Sequence, residues 1–131
     1  MNRELQQYRF AWIEGNNIAR ARLESQFKDK PGDFEELERA IERELAEPTN
    51  WVPWRTSDVE QRSSRDGARM AALEFFWARR HEFRHECLAT AFENPHSSDE
   101  IDRQCKIPKP TGPNLAIVAA RDGLRFQKQR K

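Results

Sequence analysis

Five residues in the middle of the chain have the types and spacing to do chemistry: His81-Glu82-Phe83-Arg84-His85. On a helix, residues four apart share a face, so His81 and His85 would stand side by side. Two imidazoles and a third ligand hold zinc with one position open for water. A carboxylate next to them, here Glu82, can take the proton of that water. The chemistry would be hydrolysis, with zinc as cofactor, His81 and His85 as ligands and Glu82 as general base. His96, or an acid among residues 99–102, would be the third ligand.

The pattern resembles the signature of zinc metalloproteases over those five residues and no further. In that family the flanking positions are mostly uncharged because the helix is deeply buried. Here Arg80, Arg84 and Glu86 surround the histidines, and a cation one residue from an imidazole disfavours adding a dication. The leading expectation is therefore no catalytic residue and no cofactor. His81 and His85 are then read as residues at a helix–helix boundary, and the zinc hydrolase is the alternative.

A helical wheel places Met70, Leu73, Phe76, Trp77, Phe83, Cys87, Leu88, Ala91 and Phe92 in one apolar sector, with Arg80 and Arg84 inside it. An arginine there snorkels to solvent, pairs with an acid of another helix, or faces a partner. An intramolecular ion pair would be made, for instance, with Glu35, Glu38 or Glu42 of the second helix. Arginine beside aromatics is also the composition of an interface hot spot, so Arg80, Arg84 and Trp77 are candidate partner-binding residues. Trp51 and Trp54, flanking Val52-Pro53, are candidates of the same kind, either as a docking loop or as a lid on the core.

The C-terminal end carries a different signal. Residues 103–131 hold 8 basic side chains and one acidic, whereas residues 1–50 hold 8 basic and 11 acidic. Arg121, Arg125, Lys128, Arg130 and Lys131 could contact phosphates and would give salt-dependent, sequence-independent nucleic-acid affinity. Phe126 is the only aromatic there, so no base-stacking platform is expected.

The elements that must position these residues follow from periodicity and caps. Residues 2–27 have helical spacing, with Gly15-Asn16-Asn17 as an expected break or kink. Asp33 caps a helix over 34–47, in which Phe34, Leu37, Ile41 and Leu45 recur at helical spacing. Ser57-Asp58-Val59-Glu60 opens a long helix to about residue 93, stopped by Asn94-Pro95. Ser97 caps a short helix to about Cys105. Pro108, Pro110, Gly112 and Pro113 read as an extended linker, and 114–120 as a helical turn or a strand.

The reading is all-α: a small bundle of three to five helices around one long helix over about 57–93, with an irregular, Pro-rich, basic C-terminal segment. The expected division is 1–106 as the helical domain and 107–131 as the linker and basic segment, with packing of that segment on the same domain as the alternative. The chain has 131 residues, 37% hydrophobic and 34% charged, with 8 Phe and 4 Trp to build a modest core and a net charge of +1. No apolar run reaches membrane-spanning length, and the first residues form no signal peptide. The two cysteines form no disulfide or zinc pattern. Cys87 is read as a small buried hydrophobe, and the expected location is a reducing cytoplasm. The expected function is a non-enzymatic helical interaction module, an adaptor, regulator or inhibitor with the composition of small accessory proteins of phages and mobile elements. Its partner would be another protein or a second copy of itself, as a homodimer, and not a membrane.

Overall fold

The computed structural model describes residues 3–47, 57–91 and 98–116. They form four helices: α1 (Arg3–Gln26), α2 (Phe34–Ala46), α3 (Asp58–Ala91) and α4 (Ser98–Gln104), with one further helical turn at 113–116. There is no strand among the described residues, so the all-α expectation holds. No helix is long and apolar enough to cross a membrane.

The caps are where the sequence puts them. Asp33 Oδ1 accepts the Glu36 N–H at 3.1 Å at the start of α2. Ser57 Oγ accepts the Glu60 N–H at 3.2 Å, as an N-cap does, and donates to the Glu60 carboxylate at 3.1 Å at the start of α3. Each satisfies donors that the first helical turn cannot satisfy itself.

Helices α1 and α3 run parallel. Ser63 Oγ donates to the Tyr8 carbonyl, Asn16 Nδ2 to the Gly67 carbonyl, Arg20 pairs with Glu74, and Arg79 Nη2 donates to the Phe27 carbonyl. Residue numbers rise together along both helices. Helix α2 runs the other way: the Phe34 ring meets the Phe83 ring edge-on, and Arg69 Nε donates to the Leu45 carbonyl.

Residues 15–17 do not break α1. Gly15 is where α1 touches α3: a Cβ there would overlap the Ser64 carbonyl, and a Cβ on Gly67 would overlap the Trp12 carbonyl. Ala11, Ala19, Ser63, Ser64, Ala68 and Ala71 extend this seam of small buried residues. Two backbones can approach this closely only where no side chain intervenes, and close approach brings Cα–H groups to carbonyl oxygens. Glycine in mid-helix ordinarily costs about 1 kcal/mol. Here the helix–helix contact offsets that cost, which is why a local breaker signal misleads.

The main core lies toward the C-terminal ends of α1 and α3. Leu23, Phe27, Phe34, Leu37, Ile41, Ala72, Phe76, Ile107 and Leu115 form one buried cluster. A side chain such as Phe27 or Leu37 contributes about 1.5–3 kcal/mol when fully buried. The Pro-rich stretch is part of this body, since Ile107 and Leu115 are buried in it. Helix α2 holds the stretch through two carboxylates. Glu38 accepts the N–H groups of Thr111 and Gly112, and Glu42 accepts those of Asn114 and Leu115 and the Asn114 amide. Glu42 thereby caps the turn at 113–116 from another helix.

Candidate functional site

Arg80 comes from the inner face of α3 and is 3% exposed. Its guanidinium lies 5.4 Å from the centre of the Phe76 ring and 5.8 Å from those of Phe34 and Trp77. Aromatic faces attract a cation, but they do not replace its lost hydration. Burial pushes the Arg80 pKa down, while the Asp102 carboxylate opposes that shift; Arg84 lowers it further and Glu38 raises it.

Asp102, on α4 and 7% exposed, is the answering charge. Its Oδ2 lies 3.3 Å from Arg80 Nη2, and its Oδ1 accepts from both Nε and Nη2 of Arg84. Arg80 Nη1 also donates to the Pro108 carbonyl at 2.6 Å. One carboxylate therefore serves two guanidinium groups, and a strap carbonyl takes a further donor. The nitrogens Arg80 Nε and Trp77 Nε1 are buried with no acceptor among the described residues. Such groups carry a desolvation cost, so the cluster is held by its surroundings.

The acid that answers Arg80 and Arg84 is thus Asp102, and not Glu35, Glu38 or Glu42. The α2 carboxylates Glu38 and Glu42 hold the 111–115 strap. Sequence reasoning placed the two arginines on the apolar face of α3 but missed their partner. Asp102 lies past a proline stop, in a helix of 7 residues with no periodicity to orient it.

A second link is covalent. Cys87 and Cys105 form a disulfide across a separation of 18 residues, with Cα atoms 6.1 Å apart. This corrects the reading of Cys87 as a small buried hydrophobe and of the two cysteines as no disulfide pattern. Two cysteines so spaced show no framework in sequence, yet the fold of α4 back onto α3 brings them together. Cys105 follows α4 by one residue and stands three after Asp102, so the disulfide and the ion pair secure the same helix to α3.

His81, Glu82 and His85 lie on the exposed side of α3. The two imidazoles share that face, as their spacing requires, and Glu82 is beside them. Asp102 is bound to Arg80 and Arg84, and Glu100 accepts from Gln104 at 3.1 Å. Among the described residues no group of three His, Cys, Asp or Glu side chains converges on one point. His96, Trp51, Trp54 and the basic set Arg121, Arg125, Lys128, Arg130 and Lys131 lie outside the described residues.

A different surface emerges at the other end of the molecule. Helix α2 ends near Arg69, so the first three turns of α1 and of α3 extend beyond it as a two-helix arm of about 15 Å. The large hydrophobic residues that stay exposed gather there: Leu5, Tyr8, Phe10 and Ile13 on α1 and Val59 on α3, with Phe10 58% and Val59 57% exposed; Met70 lies at the arm's base. A shallow groove of about 630 Å³ is lined by Gln6, Tyr8, Arg9, Phe10, Trp12 and Ile13. The sequence held a signal for this surface. Phe10 and Ile13 fall off the Leu5–Tyr8–Trp12 stripe, so α1 is apolar on more than one face, which one contact with α3 cannot cover. Comparison with known proteins finds no matching family model, no matching curated protein and no matching solved structure, so function has to be read from the chain's own geometry.

Proposed function

We propose that this chain is a non-enzymatic helical interaction module, and that the surface it uses is the α1–α3 arm, with a second copy of the chain as its partner. The observation that carries this reading is the clustering of Leu5, Tyr8, Phe10, Ile13 and Val59 on one arm that no other described helix covers. Contiguous exposed apolar residues mark contact surfaces on soluble proteins.

Charge argues for self-association. Around the apolar residues the arm carries Arg9, Arg62 and Arg65 against Glu14, Asp58, Glu60 and Asp66. In a twofold dimer the same patch meets itself. A patch of one sign would repel its copy, whereas this mixed one can place arginine against carboxylate. The mixture also gives no reason for a polyanion to dock there. Two such arms lying against each other would form a four-helix bundle, the usual way for helix pairs to bury their apolar stripes.

Light scattering coupled to size exclusion tests the reading. The wild-type chain should elute with twice the 15.5 kDa of a single chain, or shift toward it as concentration rises. The Ile13→Asp variant should stay at the single-chain mass. A wild type that remains at 15.5 kDa across the series removes self-association as the function of the arm.

A further inference from the structure

Helix α4 has 7 residues, fewer than a helix needs to persist alone in water. Its place depends on what ties it down. Its C-terminus closes with the Ile107 N–H on the Asp102 carbonyl at 2.8 Å and the Lys106 N–H on the Arg103 carbonyl at 3.3 Å. Lys106 there adopts a φ of 60°, a left-handed conformation that costs a non-glycine residue energy. Its other ties are the packing of Ile101 and Ile107 on the core, the Asp102 ion pairs, the Arg80 hydrogen bond to the Pro108 carbonyl and the Cys87–Cys105 disulfide. An open depression of about 670 Å³, lined in part by Asp102, Lys106 and Pro108, brings solvent to the edge of this assembly.

We infer that the Cys87–Cys105 disulfide is a thiol-sensitive clasp: its reduction frees α4 from α3 and uncovers the Arg80–Arg84 pair with its surrounding rings. Cys87 is the less buried of the two cysteines, half-buried where Cys105 is 7% exposed. A small-molecule thiol, as its thiolate, attacks Cys87 Sγ. The S–S bond breaks, and Cys105 leaves as a thiolate that takes up a proton. A second thiol attacks the outer sulfur of the mixed disulfide, releasing Cys87 as a thiol. Two small thiols become one small disulfide, and the protein disulfide becomes two thiols.

Once the bond is open, α4 is held by non-covalent ties alone: Ile101 and Ile107 against the core, the Asp102 ion pairs and the Arg80–Pro108 hydrogen bond. Removing a crosslink over 18 residues raises the tendency of the segment to open by roughly a hundredfold. Departure of Asp102 leaves the Arg80 guanidinium beside Phe34, Phe76 and Trp77 and the Arg84 guanidinium without its carboxylate, a cationic and aromatic surface suited to an acidic group of a partner. In the oxidised protein Asp102 occupies that position itself.

Hydrogen-exchange mass spectrometry on the full chain tests this, with the protein equilibrated in glutathione buffers from oxidising to reducing. Parallel samples are labelled with phenylglyoxal, which modifies accessible arginines. The disulfide should open within the glutathione range. Exchange over 98–107 should then accelerate by about two orders of magnitude, and labelling of Arg80 should rise, while 11–26 and 60–76 keep their protection. A disulfide that stays closed in every buffer would overturn the inference. So would an opened protein in which 98–107 and Arg80 remain protected, or one that loses protection everywhere at once. The arm lies at the far end of α3, so a wild type that fails to dimerise leaves these readouts intact, and the two proposals fail separately.

Discussion

Asp102 Oδ2 lies 3.3 Å from the guanidinium of Arg80, a side chain 3% exposed to solvent. That contact joins the 7-residue α4 to the 34-residue α3 and supplies the nearest compensation for a buried cation. Removing one member of a buried pair leaves the other charge desolvated and unanswered, which costs about 3–5 kcal/mol. Asp102→Ala should destabilise the oxidised protein by that amount in urea melts. The double variant Arg80→Met/Asp102→Leu should recover most of the loss, because well-packed apolar side chains often replace a buried ion pair without cost. An Asp102→Ala chain as stable as wild type would show that Arg80 needs no countercharge.

The seam between α1 and α3 makes a second prediction, opposite in sign to helix propensity. Alanine for glycine in an exposed mid-helix position stabilises by about 1 kcal/mol. At Gly67 the new Cβ would meet the Trp12 carbonyl, and the two helices would have to separate. Overpacking of this kind costs typically about 1–3 kcal/mol. Gly67→Ala should therefore lower the midpoint of thermal unfolding, and a raised midpoint would show that the helices are not in contact there.

These two sites show what was legible in the sequence. Helix boundaries, the Asp33 and Ser57 caps and the all-α class follow from local rules that act within one turn. The inward placement of Arg80 and Arg84 follows from a wheel. The role of Gly15 and Gly67 does not, because a close approach depends on a second helix about fifty residues away. Asp102 and Cys105 were invisible for the same reason: their partners are set by how α4 returns to α3. The Pro-rich stretch read as a linker because prolines exclude helix. Its attachment comes instead from backbone N–H groups reaching Glu38 and Glu42 on α2.

Glu42 offers a third test. Its carboxylate accepts the Leu115 N–H at 2.7 Å and the Asn114 amide at 2.9 Å. Hydrogen bonds to a charged group contribute about 1.5–3 kcal/mol. Glu42→Ala should accelerate amide exchange of residues 111–116 while leaving α1 protected. Unchanged exchange in that segment would place its attachment in Leu115 burial alone.

Acid should weaken α2 through its cap. The Asp33 carboxyl sits below the ordinary carboxylate range, chiefly because the Glu36 backbone N–H donates to it; slight burial opposes this, and Lys30 and Arg39 assist. A depressed pKa in the folded state means stability that is complete above the unfolded value, about pH 4. That stability disappears as pH falls through the lower folded value. Wild type should therefore melt above Asp33→Ala at neutral pH, and the gap should close on acidification below about pH 4. A gap independent of pH would mean that the charge of Asp33 plays no part.

Docking of a second copy on the apolar arm is measured directly by sedimentation equilibrium. Wild-type chain should fit a monomer–dimer equilibrium. The Phe10→Glu/Ile13→Glu variant, with unchanged helical circular dichroism, should sediment as a single species of 15.5 kDa. Wild type sedimenting as a monomer at every concentration, or a variant that dimerises as strongly as wild type, would contradict it.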